Sequence, residues 1–179
     1  MQRTHHHTEV GLAVGDAVGT TLEFRAPGTF TPIDDMVGGG PFGLEPGQWT
    51  DDTSMAMCLA ESILDIGGLD LADQLRRYLA WRDHGHWSST GRCFDIGTTT
   101  SAALDHFQRT GRPVSTGPVD QDQAANGSLM RLAPVPIRWH TDPAEAAERS
   151  GESSRSTHPA DRSVDACRVY GAMIAALSA

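Results

Sequence analysis

The chain has 179 residues, a formal net charge of −9 and a pI near 5.2. That balance excludes a nucleic-acid backbone as a partner, because phosphate binding needs a basic face, but leaves room for a small anionic ligand held by local donors or metal ions. Apolar residues make up 39% of the chain and there are 19 glycines, enough for one globular domain with a real core.

The elements follow in chain order. His5 to His7 read as part of a disordered tail over residues 1–8, with a single domain over 9–179. From Glu9 to Phe24, "EVGLAVGDAVGTTLEF" predicts a helix with Gly11, Gly15 and Gly19 four residues apart. Each costs about 1 kcal/mol relative to alanine in a helix, and three on one stripe predict a face where another backbone comes close. A helix over Thr53 to Ile66 is closed by Gly67 and Gly68, and Asp70 caps "LADQLRRYLAWR". Thr98 to Phe107 is helical, and the stretch from Thr110 to Gly127, rich in Gly, Pro and Asp, is a loop. "SLMRLAPVPI" reads as a short helix ended by Pro134 and Pro136. Thr141 to Arg149 and Arg162 to Leu177 are the last helices, and no stretch alternates convincingly as a strand. From Val169 onward the final helix is apolar all round, a pattern that needs cover from every side. The cysteines, Cys58, Cys93 and Cys167, are odd in number and far apart. They fit a reducing cytoplasm better than a disulfide framework or zinc site, and there is neither a signal-peptide pattern nor an apolar run of membrane length.

Several residues carry candidate chemistry. "GQWTDDTSM" places Thr50, Asp51, Asp52 and Thr53 at a loop-to-helix junction. Adjacent carboxylates repel, yet at such a junction they can converge on one point, and carboxylates with a hydroxyl form a hard-oxygen set suited to Mg²⁺, Mn²⁺ or Ca²⁺. A simple helix cap is the competing reading. Glu23, in the apolar "TLEF", is either a general acid or base with a raised pKa or a solvated helix end; Asp16 lies on the same helical face. Asp95 in "CFDIGTTT" is a cap or a site carboxylate. Asn126, Gly127 and Ser128 in "ANGSLMR" are a cap or a phosphate-holding turn. His158 in "STHPADRS" is a surface histidine or a site residue. Gly38 to Gly40 lack the following Lys-Ser or Lys-Thr of a P-loop.

Taken together, and in this order, "GLAVGDAVGTTLEF", "GGGPFGLEPGQWTDDTSMAMCLAESIL", "FDIGTTTSAAL", "ANGSLMRLAPVPI" and "STHPADRSVDACRVYGAMIAAL" resemble the ADP-ribosylglycohydrolases. That family includes dinitrogenase-reductase-activating glycohydrolase and the ADP-ribosylarginine hydrolases. The resemblance runs from Glu9 to Ala176. It implies an all-α fold, a compact orthogonal helical bundle, around two Mg²⁺ or Mn²⁺ ions. It makes Thr50, Asp51 and Asp52 metal ligands and Glu23 and Asp95 catalytic carboxylates. Asn126, Gly127, Ser128 and His158 become the residues that meet ADP-ribose. The implied reaction is hydrolysis of the bond between the ribose anomeric carbon and an acceptor, with ADP-ribose or an ADP-ribosylated protein as partner. Binding of ADP-ribose without turnover is the alternative, and a helical interaction protein a third. Family members also carry a second, Asp-rich metal-binding segment of Gly-Asp-Thr-Asp type. Nothing after His158 matches it, and with the apolar last helix this predicts a C-terminally truncated domain, a partial ligand set and association through that helix.

Overall fold

A computed structural model describes residues 2–113 and 124–178. Among them it contains seven α-helices and no named strand: α1 (Gln2–Gly19), α2 (Asp51–Ile66), α3 (Leu71–His84), α4 (Thr98–Thr110), α5 (Pro134–Arg138), α6 (Pro143–Ser154) and α7 (Asp161–Ser178). Short 3₁₀ turns occupy Thr20–Leu22 and Asn126–Ser128. The fold is all-α, as the sequence pattern requires. Most of the loop read between Thr110 and Gly127 lies outside the described residues.

Helix α2 is the axis of the core. One of its faces supplies Met55 and Cys58 to a cluster with Leu75, Tyr78 and Trp81 of α3 and Leu104 and Phe107 of α4. Another supplies Leu59 and Ile63, which meet Leu132, Val135 of α5 and Cys167 of α7. Local chemistry sets the helix ends. Thr50, Asp70 and Asp142 cap α2, α3 and α6 through their side chains, and Gly67, Gly85 and Gly111 close α2, α3 and α4 in the left-handed region. Cys58, Cys93 and Cys167 are free thiols. No described helix is long and apolar enough to cross a membrane.

Four expectations need correction. Helix α1, which spans Gln2–Gly19, stops at Gly19 rather than Phe24. Its glycine stripe meets no backbone: a Cβ at Gly11, Gly15 or Gly19 would find nothing within 4 Å. Pro134 and Pro136 begin α5 instead of ending a helix. The first N–H groups of a helix have no intrahelical acceptor, so proline is tolerated in the first turn. Finally, α7 is covered on one side. Val164, Cys167, Gly171, Ile174 and Ala175 are buried, whereas Val169, Tyr170, Met173 and Leu177 remain exposed.

Candidate active site

Glu23 leaves the 3₁₀ turn in an extended conformation (ψ 142°), past the end of α1. Its position is fixed from below by the glycine-rich loop. Thr21 donates its hydroxyl to the Gly38 carbonyl at 3.0 Å, and at Gly40, where φ is +66°, a Cβ would lie 2.6 Å from the Thr20 carbonyl oxygen. Only glycine gives both the left-handed backbone and that close approach.

The segment before α2 is pinned by the loop after α3. Trp49 donates its indole N–H to the Trp87 carbonyl at 3.1 Å, and Ser89 donates to the Trp49 carbonyl at 2.6 Å. Asp16, reaching across from α1, then organises the start of α2. Its carboxylate accepts from the N–H groups of Thr50 (3.0 Å) and Thr53 (3.1 Å) and from both their hydroxyls (2.8 and 2.7 Å). The donors left over at a helix N-terminus are thus met by a carboxylate from a different helix. The Thr50 hydroxyl hydrogen is spent on Asp16, and its oxygen accepts weakly from the Asp52 N–H at 3.5 Å.

Asp95 is not a helix cap. Gly97 holds the cap position of α4 without a side-chain bond, and Asp95 sits at φ 57°, a left-handed conformation that Asp tolerates better than most residues. Neither is Asn126 an ordinary cap: it opens the 3₁₀ turn, where no side-chain cap bond forms. His158, read as a candidate surface residue, is buried at 2% exposure.

These elements enclose one open cleft of about 280 Å³, lined by Glu23, Asp51, Asp52 and Asp95 together with Asn126, Gly127 and His158. Thr50 faces a neighbouring hollow shared with Asp16, Glu23 and Asp52. Ser128 is set apart from this cleft. It is buried, accepts from Ser154 Oγ at 2.8 Å and lies 3.5 Å from Cys167 Sγ, so it braces the turn from behind.

The electrostatics of the acidic residues are unbalanced. Burial, then the charges of Asp52, Asp95 and Asp16, push Asp51 up to about 8. Burial, then Asp16, Glu23 and Asp95, push Asp52 up to about 7. Glu23 is raised by burial and by Asp95 and Asp16, and Asp95 by burial and Asp16. Among the described residues none of these carboxylates pairs with an arginine or histidine.

Sequence reasoning left out several residues of the cleft. Asp16 was noticed on the face of Glu23, but its grip on Thr50 and Thr53 is long-range and leaves no local signal. Thr98, Thr99, Thr100 and Met130 line the cleft beside the assigned residues. Phe24 does too, with φ 61° and 78% exposure. It begins an aromatic row in which Phe24 and Phe42 meet edge-on at 6.2 Å and Phe42 and Phe94 at 5.3 Å.

Comparison with known proteins matches this arrangement to one family. The family model for ADP-ribosylglycohydrolase covers residues 8–179. ADP-ribosylarginine hydrolase Tri1 of Serratia proteamaculans (strain 568) is 45% identical over 90% of this chain and 44% of its own length. ADP-ribosyl-[dinitrogen reductase] glycohydrolase of Rhodospirillum rubrum is 33% identical over 92% of this chain and 54% of its own. A solved chain described as an ADP-ribosylglycohydrolase-related protein complex superposes with a TM-score of 0.79 at 39% identity, covering 95% of this chain and 54% of that one. The chain thus spans about half the length of the curated relatives it matches. Sequence, helical architecture and the match to nearly every residue agree: the chain belongs to the ADP-ribosylglycohydrolase family.

Proposed function

We propose that this chain forms the ADP-ribose-cleaving cleft of a metal-dependent hydrolase that acts on ADP-ribosylated arginine in a modified protein. The observation that carries the reading is the convergence of Glu23, Asp51, Asp52 and Asp95 on one cleft that the Asn126–Gly127 turn and His158 also line. Arginine as acceptor is supported by the name of the Serratia relative, an ADP-ribosylarginine hydrolase at 45% identity.

The donors fit a hard divalent cation. Thr50, Asp51 and Asp52 offer oxygen alone, and the raised pKa values of Asp51 and Asp52 reflect burial first and then the charge of neighbouring carboxylates that no described cation offsets. Among the described residues no three His, Cys, Asp or Glu side chains form a complete cage. These residues therefore fit as part of a coordination shell, the remainder of which water and substrate oxygens can fill, as is usual for Mg²⁺. A pair of Mg²⁺ or Mn²⁺ ions, when bound, would supply positive charge that orients the ribose hydroxyls and acidifies water.

The chain's own residues account for the rest. The carboxylates of Glu23 and Asp95 stabilise the positive charge that builds on the ribose carbon as its bond to the leaving nitrogen lengthens. One of them takes a proton from the attacking water as its oxygen bonds to that carbon. The electron pair of the broken bond stays on the guanidine nitrogen, which gains a proton. Asn126 and Gly127 hold the phosphates, and Ser128 keeps their turn in place. The test is incubation with ADP-ribosylarginine and Mg²⁺ or Mn²⁺, read as free ADP-ribose by chromatography. The incomplete cage favours one second reading, ADP-ribose binding without turnover. Saturable ADP-ribose binding with no release of product would select it.

We also infer that the exposed row Val169, Tyr170, Met173 and Leu177 of α7 meets a second copy of the chain, because burying large apolar side chains is worth roughly 1.5–3 kcal/mol each. Sedimentation over a concentration series should show association that Met173→Arg weakens. A monomer at every concentration counts against it.

A further inference from the structure

We propose that Arg131 and Thr157 form a buried relay that fixes the tautomer of His158, leaving its single proton on Nε2, where the ring offers a donor to the cleft. Arg131 and Thr157 are positioning residues that act through His158. The inference rests on the reading of the cleft as an ADP-ribose site.

Arg131 is 1% exposed. It is a buried guanidinium with no carboxylate partner among the described residues. Its carbon lies 4.5 Å from the centre of the Tyr78 ring, and one nitrogen, Nη2, donates to Thr157 Oγ1 at 2.7 Å and to Ser156 Oγ at 3.2 Å. Nε and Nη1 have no partner among the described residues. Such a residue is costly to bury, and its one firm contact on the site side is the Thr157 hydroxyl.

The direction of the next bond follows from counting hydrogens. Arginine donates and never accepts, so Thr157 Oγ1 is the acceptor of the Arg131 bond. The same oxygen lies 2.8 Å from His158 Nδ1. A hydroxyl has one hydrogen, and no other acceptor for it occurs among the described residues. If Nδ1 carried a proton, the hydroxyl of Thr157, itself 2% exposed, would keep a buried hydrogen without a partner. If Nδ1 is a lone pair, every hydrogen in the chain is used: guanidinium to hydroxyl, hydroxyl to imidazole. The positive charge of Arg131 favours the same outcome, because it faces the lone pair rather than an N–H. Burial and Arg131 together hold the His158 pKa down to about 3, so the ring stays neutral.

The proton is then on Nε2, for which no partner occurs among the described residues, and His158 lines the cleft. The ring is held against the phosphate-facing turn. A Cβ at Gly127 would lie 2.7 Å from Cε1, 3.0 Å from Nε2 and 3.1 Å from Thr100 Oγ1. The backbone of His158 is fixed as well: its N–H donates to the Ser154 carbonyl at 2.7 Å, and its carbonyl accepts from Ser154 Oγ at 3.0 Å. What the cleft receives is a neutral donor of fixed orientation, matched to a phosphate or hydroxyl oxygen of the ligand.

The test is long-range ¹H–¹⁵N spectroscopy of the full chain labelled at histidine, at neutral pH, with and without ADP-ribose. His158 is expected as one neutral tautomer with a protonated Nε2 and an unprotonated Nδ1, and ADP-ribose should shift the Nε2 signal. Thr157→Val, which keeps the shape and removes the hydroxyl, should show a mixture of tautomers and bind ADP-ribose roughly tenfold more weakly, the worth of one such bond. Thr157→Ser should restore both. Arg131→Met should relax the tautomer in the same direction. A wild-type ring with its proton on Nδ1, or one charged at neutral pH, overturns the proposal without any variant. So does a folded Thr157→Val that keeps one tautomer and full affinity, or an Nε2 signal that ADP-ribose leaves unmoved while it binds. If the tautomer is as stated but ADP-ribose does not bind at all, the relay stands and the substrate reading falls.

Discussion

Helix α2 meets acidic side chains at both ends, and the chain treats the two groups in opposite ways. Along its later turns Glu61 and Asp65, joined by Asp73 from α3, gather on Arg77 at 2.7, 2.9 and 2.7 Å, and His86 lies 2.8 Å from Glu61. Burial pushes the Glu61 carboxyl up, but hydrogen bonds from His86, Arg77 and Trp87 outweigh it and hold the group down at about 2. At the first turn Asp51 and Asp52 meet Asp16, Glu23 and Asp95 with no cation among the described residues, and the pKa values go the other way. Where carboxylates serve only the fold, this chain provides its own arginine. Where it withholds one, the site keeps a negative potential that an outside cation can satisfy.

The sharpest way to break this contrast is to neutralise one member of each group. Asp51→Asn and Asp52→Asn change charge with little change of volume. Each should weaken Mn²⁺ binding by at least about tenfold in calorimetry and abolish release of ADP-ribose. In metal-free protein each should leave the melting temperature unchanged or higher, because a repulsion is removed. Unchanged Mn²⁺ affinity in both variants would remove these residues from the metal site.

Arg77→Met should do the reverse. It removes the arginine that three carboxylates share and should cost about 1–2 kcal/mol, a fall of roughly 2–8 °C in melting temperature for a chain of this size. Its effect on Mn²⁺ affinity should be small. If Arg77→Met lost metal binding, or if Asp52→Asn destabilised the metal-free chain as much as Arg77→Met does, the two groups would not differ in kind.

How much of this could be read from the sequence depends on the range over which each signal acts. The start and stop of α2 and α3 are local: Thr50 and Asp70 cap, and Gly67 and Gly85 close. The pairing of Asp51 with Asp52 at a helix start is equally local. The grip of Asp16 on Thr50 and Thr53 spans 34 and 37 residues, and no spacing rule foretells it. Pro134 and Pro136 were misread because the same residue that stops a helix from inside can start one. The glycine stripe of α1 was misread because glycine marks an absent side chain, and a bare face can look onto a hollow as well as onto a backbone. The isolation of His158 in sequence hid its burial, which arises because Gly127 packs on its ring and Arg131 on its neighbour Thr157, both from one distant segment.

The contrast also extends to the pH dependence of stability, where the two groups should act with opposite sign in different windows. For Asp51 the unfolded pKa is about 3.9 and the folded value about 8. Between them the folded chain keeps a proton that the unfolded chain releases, so stability falls as pH rises. Asp52, at about 7, acts in the same direction. For Glu61 the folded value is about 2 and the unfolded value about 4.3, so its contribution is complete above that range and is lost as pH falls through it. Solvent screening of this partly exposed group makes the acid-side loss the weaker of the two. With a chelator present, melts should therefore be highest near pH 5 and decline toward pH 8. Saturating Mn²⁺ should flatten or reverse the decline, since the cation displaces the protons that the crowded carboxylates hold. A metal-free melting temperature that rises from pH 5 to pH 8 would mean that Asp51 and Asp52 are ionised and satisfied within the fold, and the contrast with the Arg77 group would fail.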